Sequence, residues 1–348
     1  MIIDNSVYYV LGYLSTWMLL VIVSIFVVRL FTIKRRWRWR ANIAASFIGI
    51  IVFVLMMEGY YGFFYDQTDS YGLTLTSQRW FKRHYILNNL GFRDDKNYYY
   101  KKAPGRKRVV FIGDSYTAGH GIKDIRDRFS NQVGQRLSGN SEVYTMALNG
   151  WDTGHELRLL NDLIEKGLET DIIVLCFNMN DIGLPSYESY MKMRRINERS
   201  PQNWLFKHSF FFNFLYTRMV IFSMPEFKDY FSWVAMDYEG NAWIYEKALL
   251  QEFIELCKDN GYELKVAVFP LINDLKSEFR LKAAHEKVSG FFVSKGVPCI
   301  DFSQILRKLP KKQLTVNRFD SHPGEFTHSL IAAEIWDRLI GEGGYLLR

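Results

Sequence analysis

The chain has 348 residues, 48% of them hydrophobic and 16% aromatic, ample for a packed core and too many for a disordered protein. Its formal net charge of +7 would suit nucleic acid if it were spread over one face. Instead Arg29, Lys34, Arg35, Arg36, Arg38 and Arg40 face Asp4 alone in the first forty residues, a net of +5, so the other 308 residues carry only +2 and nucleic acid is discounted as a partner.

The basic residues lie between two apolar segments. Val7–Val28 is uncharged over 22 residues, enough to cross a hydrocarbon core that needs about 20, and Arg29 can snorkel from its end. A cleaved signal peptide would have a basic start and a shorter apolar stretch, whereas this one begins with Asp4. Ala41–Met57 is uncharged over 17 residues, and after Glu58 comes the aromatic cluster Gly59-Tyr60-Tyr61-Gly62-Phe63-Phe64-Tyr65, suited to the headgroup region. The expectation is a two-helix transmembrane hairpin over residues 1–65, with spans at about 7–29 and 41–60. The positive-inside rule keeps the basic loop 34–40 cytoplasmic, so everything from about Asp66 onward is extracytoplasmic and the protein is a multi-pass protein of the cell membrane.

Residues 66–107 are polar, aromatic and turn-rich, an extracytoplasmic connector. Strand and helix patterns then alternate through a domain covering 108–348. Strands are expected at Val109–Ile112, Val143–Met146, Asp171–Phe177, Leu264–Phe269 and Val297–Phe302, and helices at Phe129–Leu137, Gly154–Lys166, 242–259, about 277–294 and Gly324–Ile340. That alternation implies a parallel sheet with helices on both faces. An insertion over 183–240 breaks the rhythm with an aromatic cluster from Trp204 to Phe222. It reads either as a helix packed on the domain or as an interfacial or partner-binding element. Cys176 and Cys299 sit in apolar runs as small buried hydrophobes, and with Cys257 the odd count gives no disulfide framework.

The first strand ends in Gly113-Asp114-Ser115, placing a serine where open α/β sheets put their ligands. A serine hydroxyl needs a base, and His322 in Asp320-Ser321-His322-Pro323 is the candidate, with Asp320 to fix its tautomer. Donors for an oxyanion are the backbone N–H of Ser115, that of Gly150 after the second strand, and the side chain of Asn180 after the third. Each alone reads equally as a turn residue; together they converge on acyl transfer. His120 and His155 lie near these motifs without being favoured as the base, His328 reads as structural, and Asp114 and Asp181 as loop braces. No cluster has metal-ligand spacing, and no cofactor is expected.

These blocks resemble the SGNH/GDSL hydrolase superfamily: Gly113-Asp114-Ser115 its first, Gly150 its second, Asn180-Asp181 its third and Asp320-Ser321-His322-Pro323 its last. Asn89-Leu90-Gly91-Phe92-Arg93-Asp94 is similar to a segment of membrane-anchored bacterial members. The resemblance spans about residues 88–341 and implies a flavodoxin-like three-layer α/β/α sandwich, Ser115, His322 and Asp320 as catalytic residues, and Ser115, Gly150 and Asn180 as the oxyanion hole. Tyr116 replaces the leucine of the family name, Asn178 the glycine usual two before the asparagine, and the aspartate stands two rather than three residues before the histidine.

The function expected is that of a membrane-anchored extracytoplasmic serine esterase or O-acyltransferase. Its substrates would be O-acyl esters, O-acetyl first among them, of a cell-surface glycan or lipid-linked precursor, and resemblance adds a membrane-bound O-acyltransferase as partner. Two other readings stay open: a non-catalytic accessory subunit of such an assembly, and a lipase or thioesterase acting on acyl chains of the bilayer.

Overall fold

A computed structural model describes residues 38–137, 141–182, 203–225, 229–275 and 278–341, together with Ile22, Val23 and Ile25. The chain divides into two compact units. One holds the described residues up to Gln67, Leu73–Arg79 and the described part of Ser200–Ile221; the other holds Thr68–Gly72 and the described parts of Trp80–Arg199 and Phe222–Arg348.

The first unit is organised on α1 (Arg38–Gly59), which continues as a π-helical turn, Tyr60–Phe64. Among the described residues one helix, Asn42–Phe64, is long and apolar enough to cross a membrane. Of the other expected span, 7–28, all but Ile22, Val23 and Ile25 lie outside the described residues, and among the described residues there is one such helix rather than the expected two-helix hairpin. The connector also has more structure than its polar composition suggested: Leu75–His84 forms α2. From it, the Arg79 guanidinium donates to the carbonyls of Tyr61 at 2.9 Å and Tyr65 at 2.8 Å, satisfying acceptors that the end of a helix leaves open.

The insertion supplies α6 (Trp204–His208) and α7 (Phe210–Ser223); α3 to α5 belong to the other unit and are given below. Glu58 accepts from the backbone N–H of Phe210 (2.8 Å) and Phe211 (2.9 Å) and from Ser209 Oγ (2.6 Å). A carboxylate that ended the apolar run in the sequence is thus the N-terminal cap of α7, where the helix dipole favours negative charge. The rings of Phe211 and Phe214 pack on Phe53, Tyr61 and Tyr65, with Tyr61 and Phe214 stacked at 4.4 Å.

The second unit is a five-stranded sheet of β1 (Lys107–Gly113), β2 (Ser141–Ala147), β3 (Ile172–Asn178), β4 (Glu263–Phe269) and β5 (Cys299–Asp301). The order is β2-β1-β3-β4-β5 and every pair is parallel. Alternate side chains feed two cores, as a period of two requires. Val110, Ile112, Ile173, Leu175, Val266 and Val268 face one cluster with Leu157, Leu160 and Leu163 of α5 (Thr153–Glu165), Leu250 and Phe253 of α9 (Asn241–Asp259) and Val288 of α10 (Lys282–Ser294). Val109, Phe111, Val174, Cys176, Ala267 and Phe269 face the other, with Phe129 and Val133 of α4 (Phe129–Arg136) and Ile331 and Ile335 of α13 (Glu325–Ile335). Each buried valine, leucine, isoleucine or phenylalanine contributes about 1.5–3 kcal/mol, which favours the three-layer order. All three cysteines are free.

The remaining helices are α3 (Ser115–Ala118), α8 (Tyr230–Asp237), α11 (Ser303–Leu306) and α12 (Lys311–Leu314). Two expectations are corrected at the carboxyl end. The closing helix is α-helical only to Ile335 and then loosens into a π turn, Trp336–Ile340. Residues Asp320–Pro323, outside the expected strands and helices, form β7, antiparallel to β6 (Thr315–Asn317).

Candidate active site

The order β2-β1-β3 puts the carboxyl ends of three neighbouring strands at the point where the chain reverses its direction of winding, the usual place for ligands in open α/β sheets. Gly113 closes β1. A Cβ there would collide with Thr117 Oγ1 and come within 2.9 Å of the Cys176 Cβ, so only glycine lets the chain turn at once into α3. Asp114 caps that helix, its Oδ1 accepting from the Tyr116 N–H at 2.9 Å. Ser115 is therefore the first residue of α3, 9% exposed at the rim.

β7 brings the histidine. His322 Nε2 lies 2.9 Å from Ser115 Oγ, and its Nδ1 lies 2.6 Å from Asp320 Oδ1. The same Oδ1 accepts the backbone N–H of His322 at 3.0 Å. A two-residue spacing suffices because the extended backbone of β7 points both side chains to one face. The second carboxylate oxygen accepts from Thr68 Oγ1 and stands 3.2 Å from His120 Nε2. Burial pushes the Asp320 carboxyl up, but the imidazoles of His120 and His322 outweigh it and hold the group well below the usual carboxylate range. Burial and the neighbouring His120 lower the pKa of His322, with Asp320 opposing them, so the ring is neutral and able to accept a proton near neutral pH.

Gly150 follows β2 in a turn with φ +78°, and a Cβ there would meet nothing within 4 Å, so its surroundings are open. Asn180 follows β3, its Oδ1 buried with no hydrogen-bond partner among the described residues. Asn178 reaches back instead, its Nδ2 donating to Asp114 Oδ2 at 3.2 Å. Asp181 Oδ2 accepts the Asn178 N–H at 2.6 Å, and its carbonyl accepts the Thr153 N–H at 2.9 Å. Asp114 and Asp181 thus hold loops, yet both are raised by burial, Asp114 to about 6.

His155 pairs with Asp152 at 2.6 Å, and His328 is fully buried, accepting from the Phe129 N–H at 3.2 Å. His120, passed over as a base, lies against the His322 ring, centroids 3.8 Å apart and planes 7° from parallel. Thr68 and His120 gave no sequence signal beyond proximity: Thr68 stands 252 residues from its partner Asp320, in a segment without motif.

A serine, an imidazole and a carboxylate in series at the rim of a 2-1-3-4-5 parallel sheet define an ester hydrolase of the serine class. The model of the GDSL-like Lipase/Acylhydrolase family matches residues 111–330, well over half the chain, and the protein belongs to that family. It is an SGNH-type acylhydrolase acting on ester substrates.

No curated protein matches. Among solved structures, a lipolytic G-D-S-L family protein from Veillonella parvula DSM 2008 is similar at 13% identity, covering 67% of this chain and 98% of that one with a TM-score of 0.43. The lipase/acylhydrolase from Enterococcus faecalis is similar at 16% identity, with 66% and 93% covered and a TM-score of 0.39. The psychrotrophic esterase EstA from Pseudoalteromonas sp., inhibited by monoethylphosphonate, is similar at 12%, with 66% and 95% covered and 0.40.

Proposed function

We propose that the protein is a membrane-tethered, extracytoplasmic serine esterase or O-acyltransferase working through an acyl-serine intermediate on O-acyl, chiefly O-acetyl, esters of a cell-surface glycan or lipid-linked precursor. The observation that carries the chemistry is the 2.9 Å contact from His322 Nε2 to Ser115 Oγ, with Asp320 at 2.6 Å behind the ring. His322 takes the Ser115 proton as Oγ attacks the ester carbonyl. The oxyanion is met by the N–H groups of Ser115 and Gly150 and the Asn180 side-chain amide. The imidazolium, steadied by Asp320, then protonates the leaving alcohol. A second cycle with water gives hydrolysis; with a sugar hydroxyl it gives transfer.

The tether is Asn42–Phe64, preceded by Arg38 and Arg40. Basic residues on the cytoplasmic side put the sheet domain outside. Tethering raises the local concentration of substrate on the same surface, which favours a surface glycan or a lipid-linked precursor. The test is fluorophosphonate labelling of wild type and Ser115→Ala, followed by mass analysis of surface glycans from cells carrying each. Labelling of wild type alone, with acetylation changed in Ser115→Ala cells, supports the reading. Labelling of neither removes covalent catalysis, and unchanged acylation removes the glycan. Faster turnover of long-chain than of acetyl p-nitrophenyl esters would turn the reading toward bilayer acyl chains.

A further inference from the structure

We infer that His120 is a positioning residue of this reaction, a second imidazole that pins the outer oxygen of Asp320 and supports the face of His322. The inference rests on the assignment of Ser115, His322 and Asp320 made above. It starts from a tautomer. Asn149 Oδ1 accepts from Tyr85 Oη at 3.3 Å, which leaves Asn149 Nδ2 to donate to His120 Nδ1 at 3.1 Å. The proton of a neutral His120 is therefore on Nε2, which stands 3.1 Å from the Asp69 carbonyl oxygen and 3.2 Å from Asp320 Oδ2.

Asp320 consequently receives three hydrogen bonds, from the His322 N–H and Nδ1–H on one oxygen and from Thr68 Oγ1 on the other, and the His120 Nε2–H, shared with the Asp69 carbonyl, faces that second oxygen at 3.2 Å. A carboxylate held at both oxygens cannot rotate, and the Nδ1–H bond that orients the base is held with it. The rings act in parallel. His322 is covered on one face by His120 at 3.8 Å. Beyond it, Trp80 lies near parallel at 6.5 Å and Phe81 edge-on at 5.0 Å. The Arg93 guanidinium caps the assembly over Trp80 and Tyr85. His120 thus faces Trp80 and Phe81 of α2, Tyr85, Asn149, the Asp69 backbone, and Asp320 with His322 of β7.

A cation cage is the competing use of His120, Asp320 and His322, whose ligand atoms lie within 4.8 Å of one another. Parallel rings direct their in-plane lone pairs side by side rather than at one point, and His322 Nδ1 and Nε2 already meet Asp320 and Ser115. The stacked pair serves orientation.

Full-length protein in detergent or nanodiscs, assayed with p-nitrophenyl acetate across pH, tests this. His120→Phe keeps a flat ring and loses the donor. It should lower kcat between about tenfold and about a hundredfold, with KM within about twofold. It should also move the acid limb of the rate profile to higher pH, because Asp320 freed of one donor holds the imidazolium more strongly. His120→Gln, which restores an N–H near Oδ2, should recover part of kcat and of the shift. A folded His120→Phe with the wild-type kcat and acid limb overturns the inference, as does a kcat loss with the limb unmoved. If the variants do not fold, ¹⁵N shifts of the wild-type imidazoles decide: His120 protonated on Nε2 supports the inference, and protonation on Nδ1 alone overturns it. Absence of wild-type turnover and of Ser115 labelling would instead sink the assignment of the site itself.

Discussion

Asn178 Nδ2 donates to Asp114 Oδ2 across 3.2 Å, joining the end of β3 to the cap of the helix that carries Ser115. The amide occupies the space between the two strand ends. It holds a carboxyl that burial has raised to about 6. Asn178→Gly should lower stability by about 1–3 kcal/mol through the lost hydrogen bond and the added chain freedom, with esterase activity kept within a few-fold. Thermal unfolding paired with p-nitrophenyl acetate turnover measures both, and an unchanged Tm would show the bond to be idle.

Removing the proposed amide donor separates transition-state binding from substrate binding. Asn180→Ala should reduce kcat by about two to three orders of magnitude with little change in KM. Steady-state kinetics on a short-chain ester checks this. A rise in KM at constant kcat would move Asn180 from the oxyanion to the substrate.

Arg93 gives a prediction on stability. Its guanidinium is buried and donates to the carbonyls of His84 (3.1 Å), of Ala118 (3.3 Å) at the end of α3, and of Gly119 and Ile122 just beyond it. Burial and the nearby Arg128 lower its pKa to about 10, still charged at neutral pH. Arg93→Met leaves these acceptors unpaired and should cost about 3 kcal/mol or more. Denaturant unfolding of the full chain measures it, and a loss under about 1 kcal/mol would mean that water replaces the guanidinium.

His328 makes stability depend on acid. Its ring is fully buried against Phe129, and burial, then Arg128 and Arg93, lower its pKa to about 3. Below about pH 6.5 the unfolded chain takes up a proton that the folded chain refuses until about pH 3, so stability falls through that window as pH drops, by on the order of 4 kcal/mol. His328→Asn keeps an acceptor for the Phe129 N–H and cannot titrate. Its Tm should be lower near neutral pH and flatter between pH 6.5 and 4; an equally steep fall would assign the acid sensitivity to other groups.

The sheet was legible because β-branched runs ending in glycine, asparagine or proline carry their own boundaries. Observed β1 to β4 differ from expectation by at most two residues at any end, and β5 is shorter, beginning at Cys299 rather than Val297. The meeting of Ser115 with His322 at 2.9 Å was legible because their neighbours are unusual together. What could not be read was pairing over long sequence distance. Thr68 and Asp69 lie in a polar segment with no periodicity, and their tie to Asp320 and His120 exists only once the sheet has formed. β7 was missed because Asp-Ser-His-Pro has no strand propensity, and its extended form is imposed by β6. For the same reason the Asn89–Asp94 segment resembled a family feature without showing its use: Arg93 and Asp94 brace the loop after Ser115 and the Arg128 side chain, the latter at 2.8 Å from Asp94.

Glu58 sets a constraint on how the chain is made. Its partners Ser209, Phe210 and Phe211 are synthesised about 150 residues later, roughly ten to thirty seconds of translation. Throughout that interval the Glu58 carboxylate, in an otherwise apolar helix, lacks these three donors, and a product truncated before Ser209 never gains them. The helix is therefore not an exchangeable apolar segment: one lacking Glu58 in its place would leave the Phe210 and Phe211 N–H groups of α7 without their carboxylate acceptor.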